Sequence, residues 1–174
     1  METGHSLPLL LSLISINIYF SRLNNIMVKH LIDKVLITLE VADRTALLIL
    51  VAKDGSIHRK GNGNPANTNL VLAQGISHDG HFEALMMTVG ENIFNHTGVI
   101  RLPNPVGKEC RLSLVFQGRN DVDFSFRVVY GEESEGPPQE LSQILINAVT
   151  LTEPWYQEQI KPEGEDKKWW QVWK

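Results

Sequence analysis

Cys110–Tyr130 reads CRLSLVFQGRNDVDFSFRVVY, and the alternation within it decides the fold class. Cys110, Leu112, Leu114 and Phe116 alternate with Arg111, Ser113 and Gln117, and Val122, Phe124, Phe126, Val128 and Tyr130 alternate with Asp123, Ser125 and Arg127. Successive side chains of a strand point to opposite faces, so each run is a strand with one apolar and one polar face. Gly118-Arg119-Asn120-Asp121 lies between them and supplies turn-forming residues. The pair is therefore a long antiparallel hairpin.

Working upstream, Val35, Ile37, Leu39 and Val41 alternate with Lys34, Thr38 and Glu40, the pattern of a half-buried strand. Ala46–Ala52, ALLILVA, is a continuous apolar run of strand length, which predicts a central strand covered on both faces. Asp43-Arg44-Thr45 separates the two, and Lys53-Asp54-Gly55-Ser56 makes a second turn, since Asp-Gly readily supplies positive φ. Ile57–Lys60 returns as a short third strand, and GNGNPANTN at 61–69 interrupts regular structure. Leu70–Ala73 resumes an apolar segment. From Phe82 the period changes: Phe82, Leu85, Met86, Val89, Ile93 and Phe94 fall at helical spacings, with Asp79 as a cap and Thr97-Gly98 as a stop.

Downstream of the hairpin, GEESEG at 131–136 is an acidic turn and Pro137-Pro138 presets a helix. Leu141, Ile144, Leu145, Ala148, Val149 and Thr152 form its buried stripe, and Pro154 is expected to end it. The reading is a single α+β domain over residues 27–160, with a mostly antiparallel sheet of about five to six strands and two main helices. The order β-β-(β)-α-β-β-β-α resembles the profilin-like layout in element order alone, and no motif accompanies the likeness. Helices gathered against one face of such a sheet are the expected arrangement.

Composition fits one domain: 174 residues, 43% hydrophobic and 21% charged. Sixteen basic and 20 acidic residues give a net charge of −4, whereas duplex binders draw affinity from a basic excess. Nucleic acid is accordingly not expected as a partner. Cys110 is the sole cysteine, which excludes an internal disulfide and a four-thiolate zinc site and fits a cytoplasmic setting. Residues 1–26 read as an appendage. The apolar run LPLLLSLISINIYF spans residues 7–20, short of the roughly 20 apolar residues a membrane helix requires. METGHS before it carries no Lys or Arg, against an export signal. Either this stretch is an apolar helix that packs on the domain or on a membrane, or Met27 is the native start and the upstream residues are a translated leader.

Catalytic signatures are sparse. Ser77-His78-Asp79-Gly80-His81 with Glu83 is the best polar cluster. His78 and His81 could bind a divalent metal with Asp79 or Glu83, completed by His30, His58 or His96, and the same cluster could serve a His/Asp-based enzyme. A loop entering a helix is equally rich in such residues, and neither H-E-x-x-H nor a Cys/His set of known spacing is present. Cys110 with His96 is the one conceivable thiol dyad, but Cys110 shares the apolar face of Leu112 and Leu114 and reads as a small core residue. GNGNP at 61–65 is no phosphate cradle, because Pro65 removes an amide and Lys60 precedes the glycines.

Aromatic residues near the C-terminus carry more information. Trp155 and Tyr156 follow the last expected helix, and residues 161–174 form a polar linker and a tail in which Trp169, Trp170 and Trp173 are flanked by Lys167, Lys168 and Lys174. Indoles need an apolar surface, so Trp155, Tyr156, Trp169, Trp170 and Trp173 are candidate interface residues, in cis, on a second copy, on a protein partner or at a membrane surface. The leading expectation is a non-enzymatic binding or protein-interaction module without a cofactor, often a homo-oligomer, that uses a sheet face or the tryptophan tail. The alternatives are an enzyme or metal site at His78, Asp79, His81 and Glu83, and a small-molecule sensor.

Overall fold

The computed structural model describes residues 28–64, 66, 71–90, 93–95, 97–119 and 123–161. The appendage 1–26, Met27 and the tryptophan tail lie outside the described residues. Residues 28–31 are helical and lead into β1 (Ile32–Val41), β2 (Arg44–Ala52), β3 (Ser56–Lys60) and β4 (Leu72–Ile76). Then come α1 (His81–Thr88), a 3-10 turn (Ile93–Asn95), β5 (Gly98–Arg101), β6 (Glu109–Gly118), β7 (Asp123–Gly131) and α2 (Gln139–Ile160). All the strands join one seven-stranded sheet in the order β4-β3-β2-β1-β6-β7-β5. Every pairing is antiparallel except that of β5 with β7. The architecture is α+β, with two strands beyond β1–β3 and the hairpin. β4 takes in the apolar segment around Ala73, and β5 is a short, exposed edge.

The hairpin read from the sequence is β6–β7, with Leu112 opposite Val128 and Leu114 opposite Phe126. Its apolar face is the core face. Leu112, Leu114, Phe116, Phe126 and Val128 are buried together with Ile32, Val35 and Ile37 of β1 and Leu47, Ile49 and Val51 of β2. Phe94 from the 3-10 turn stacks edge-on against Phe116 at 5.2 Å and Phe124 at 5.0 Å, within the range that favours aromatic pairs. The turn between β1 and β2 is Ala42-Asp43, one residue earlier than expected, with φ of 48° and 60°. Two consecutive positive φ values mark the tight hairpin turn whose twist matches its strands.

Three expectations are corrected. The helix after Asp79 covers only His81–Thr88, because Val89 turns extended (φ −72°, ψ 119°), and Ile93–Asn95 is a separate 3-10 turn. Gly90 in that gap disfavours helix by about 1 kcal/mol relative to alanine. Asp79 does not cap α1: the N-cap is Gly80 in the left-handed region, without a side-chain bond. Pro154 does not end α2, which continues to Ile160. Proline removes one helical N–H, yet the turns beyond it bury Trp155 and Tyr156, and that burial outweighs one missing bond.

Both helices pack on the same side of the sheet. Phe82, Leu85 and Met86 of α1 and Leu141, Ile144, Ala148, Trp155 and Tyr156 of α2 belong to the same core as the inward residues of the strands. α2 crosses that side diagonally. Leu141 lies beside Ile100 and Phe126 at the β5–β7 edge, and Trp155 reaches Gly75 in β4, where an added Cβ would sit 3.2 Å from its ring.

Candidate functional site

Register assigns the other side of the sheet residue by residue. Leu72, Lys60, Leu48, Thr38, Ser113, Arg127 and Val99 lie opposite one another across all seven strands. The neighbouring row runs Gln74, His58, Leu50, Leu36, Val115 and Ser125. Leu36, Leu48, Leu50 and Val115 thus make an aliphatic patch at the centre, half-buried and outside the core cluster. Ile76 (64% exposed) and Leu72 (48%) face the same side at the β4 edge, separated from the patch by the outward Ser56, His58 and Lys60 of β3. Among the described residues neither helix covers this face, so the second cover predicted from ALLILVA is not found there. The inward half of that run, Leu47, Ile49 and Val51, is buried as expected.

Cations border the patch. Lys34, Lys60 and Arg127 share its face by register, whereas α2 has three glutamates and no Lys or Arg. Glu40 and Asp123 lie on the same face farther from the patch, and Arg111 there is paired with Glu40, Asp43 and Glu109. The sequence reading names a sheet face without its residues, although Leu36 in β1 and Val115 in β6 break the polar half of their alternation and mark it.

The histidine cluster sits elsewhere. A cleft of about 190 Å³ lies between the β2–β3 turn and the start of α1, and Asp54, Ser56, Ser77, His78, His81 and Glu83 are among its lining residues. The Ser56 amide donates to Asp54 Oδ1 at 2.9 Å and, as the largest influence, holds the Asp54 carboxyl below its usual range. Ser77 Oγ donates to Asp79 Oδ2 at 2.9 Å, while His81 Nε2 stands 3.8 Å from that oxygen, too far for a hydrogen bond. Asp79 thus takes the hydroxyl that a nucleophilic serine would share with its histidine, and no relay is assembled. His81 Nε2 is shut from solvent and has no hydrogen-bond partner among the described residues. His78, Asp79 and Glu83 are exposed. His58 faces the outer side of β3 against Leu50 and Gln74, and His96 is outside the described residues. Among the described residues no three of His, Cys, Asp and Glu gather to hold a metal ion.

Cys110 is buried with Val41 and Ala46, and burial raises its thiol pKa, with Glu132 adding to the shift. A raised thiol pKa is the reverse of what a nucleophile needs.

The most elaborate polar constellation, also unforeseen, is that of Arg59. It is completely buried on the inward face of β3. Its Nη1 donates to Val149 O at 3.0 Å and Thr152 Oγ1 at 2.9 Å, its Nε to Gly61 O at 3.5 Å, and its Nη2 pairs with the Glu153 carboxylate. The guanidinium lies 4.9 Å from the centre of the Tyr156 ring, a cation–π distance. A lone arginine alternating with Ile57 on the apolar half of a strand is the sequence signal for it. These contacts fill the guanidinium with structural partners and clasp α2 to β3 just ahead of Pro154.

Trp155 and Tyr156 are corrected as interface candidates: they lie inside α2 and are buried in the domain's own core. Tyr156 Oη donates to Val71 O at 2.8 Å and accepts from the Gly61 amide at 3.2 Å. Trp169, Trp170 and Trp173 are outside the described residues. Among the described residues no helix is long and apolar enough to cross a membrane. Neither a protein-family model nor any curated protein matches this chain.

Proposed function

We propose that this protein is a non-enzymatic interaction module whose binding surface is the open face of its sheet. One observation carries the reading: two helices cover one face, while the other presents Leu36, Leu48, Leu50 and Val115 between rows of polar and basic side chains. Contiguous apolar surface of this kind marks protein contacts, with a polar rim that favours specific docking. Its partner is another protein or a second copy of the chain, in the cytoplasm. A photo-crosslinking residue placed at Leu50 in the full chain, expressed in cells, tests it. An intermolecular adduct at position 50, absent when the same residue replaces exposed Glu158, supports the reading. Absence of any intermolecular adduct from positions 36, 50 and 76 rejects it.

A second reading, a small ligand in the cleft beside His81, is favoured by the unpartnered Nε2 of that residue. Native mass spectrometry of tag-free protein checks it. A co-purifying mass lost in His81→Ala favours the cleft, and a bare chain in both removes it.

A further inference from the structure

We propose that the free edge of β4 pairs with β4 of a second copy of this chain, joining two domains into one continuous sheet about a twofold axis at Gln74.

Hydrogen-bond phase shows what this edge offers. Along an antiparallel ladder, residues turn their N–H and C=O alternately toward the neighbouring strand and away from it. The Ser77 amide donates to Gly55 O at 2.9 Å, and Tyr156 Oη bridges the Gly61 amide and Val71 O. Val71, Ala73, Gly75 and Ser77 therefore turn toward β3, and Leu72, Gln74 and Ile76 point their backbone groups off the edge. Among the described residues nothing bonds to those groups. β5, the opposite edge, is four residues long, carries Arg101 and runs into Pro103, and shortness, charge and proline all discourage pairing. β4 reads LAQGI, without charge or proline, and pairs with β3 in unbroken register. Leu72 and Ile76 stand exposed on its open face.

The pattern along β4 fits its own copy. With the axis at Gln74, Leu72 meets the partner's Ile76, Gln74 meets the partner's Gln74, and Ile76 meets the partner's Leu72. Each pair exchanges two backbone bonds, apolar side chains face apolar ones, and the two amides face each other. Charge permits the same joint. Lys60 and the partner's Lys60 lie three strand spacings and four residues apart, about 20 Å at about 4.8 Å and 3.3 Å each. That exceeds the screening length of about 8 Å at physiological salt. A strand of five residues covers less than the roughly 800 Å² per partner of a standard interface, so the pairing is reversible and follows concentration. In-plane pairing also keeps both sets of helices on one side and both open faces on the other. The aliphatic patch is a separate surface, set apart from the edge by Ser56, His58 and Lys60.

Sedimentation of the full chain over a wide concentration range tests this, and monomer should give way to a dimer. Gln74 is exposed, so its replacement leaves the domain folded, as melts of dilute protein verify. Gln74→Lys sets two ammonium groups opposite each other at the axis and should weaken the dimer at least about tenfold, and Gln74→Glu should do the same with two carboxylates. Mixing the two variants should restore a dimer that contains one of each, because lysine then meets glutamate. A chain that stays monomeric at every concentration would overturn the proposal. So would a dimer that neither Gln74 variant weakens, two weakened variants that do not recover on mixing, or assemblies that grow past the dimer. Both substitutions lie two strands from Leu50, so an adduct at position 50 reports on the open face independently.

Discussion

Replacing Glu153 with alanine should destabilise the domain more than replacing Arg59 with methionine, although Glu153 is 39% exposed and Arg59 is not exposed at all. The asymmetry lies in what each change leaves behind. With Arg59→Met, methionine fills most of the vacated volume, Glu153 is hydrated where it stands, and Thr152 Oγ1 keeps its bond to Ala148 O at 2.7 Å. The losses are a few hydrogen bonds of about 1 kcal/mol each and a cation–π contact, partly offset by the apolar replacement, for a net cost of about 1–2 kcal/mol. With Glu153→Ala, the guanidinium stays sealed between β3 and α2 with only neutral acceptors at Gly61, Val149 and Thr152. An uncompensated buried charge costs about 3–5 kcal/mol, far more than the few tenths that alanine gains in helix propensity. Urea denaturation of the full chain should resolve the difference, since about 2 kcal/mol moves the midpoint by roughly 1 M at usual m-values. In the Arg59→Met background, Glu153→Ala should cost almost nothing. The reasoning fails if Arg59→Met lowers the midpoint as much as Glu153→Ala does.

Gly131→Ala should cost about 3 kcal/mol, because its Cβ would lie 2.1 Å from Val106 O and 2.4 Å from Val106 N, backbone atoms tied to the Glu133 amide and Ser134 Oγ that must be pushed aside. Gly136→Ala, with nothing within 4 Å of its Cβ, should be nearly silent, and thermal melts of the two variants side by side check both. Tyr156→Phe leaves the Gly61 amide and the Val71 carbonyl without their shared partner and should cost about 1–3 kcal/mol by denaturation. Burial raises the Cys110 thiol above its ordinary 9.0, so the unfolded chain loses that proton first as pH rises. Stability from this group is complete below pH 9.0 and declines above it, and Cys110→Ala should flatten that alkaline limb in melts taken across pH.

Legibility in the sequence followed the strength of local periodicity. The β6–β7 hairpin and β1 could be read because their alternation is regular over many residues and set by one buried face. β4 was obscured because Leu72 and Ile76 face outward while Ala73 and Gly75 face the core, the inverse of an ordinary half-buried strand. Gly75 is small because Trp155 occupies the space its side chain would take, a constraint set 80 positions away along the chain. The end of α2 was misplaced for a related reason: a local rule about Pro154 yields to tertiary burial of Trp155 and Tyr156. Of the sites, the histidine cluster was visible as composition, and the cleft beside it only as geometry. Arg59 showed as a charge in the wrong half of an alternation, which reads as an error until its partners in α2 are known.

Strand order ties these observations together. β4 and β5 are the two edges of the sheet, yet they are consecutive in the chain, so the β4–α1–β5 connection must traverse the whole sheet. α2 makes the return crossing, from the β5–β7 side back to β4. Both crossings use the same face, and the core they share with the inward strand residues is continuous. Once two connections have filled one layer, the domain has no further described element for the other. A sheet whose central strand is apolar on both sides then retains unsatisfied apolar area, the kind of surface that a partner covers.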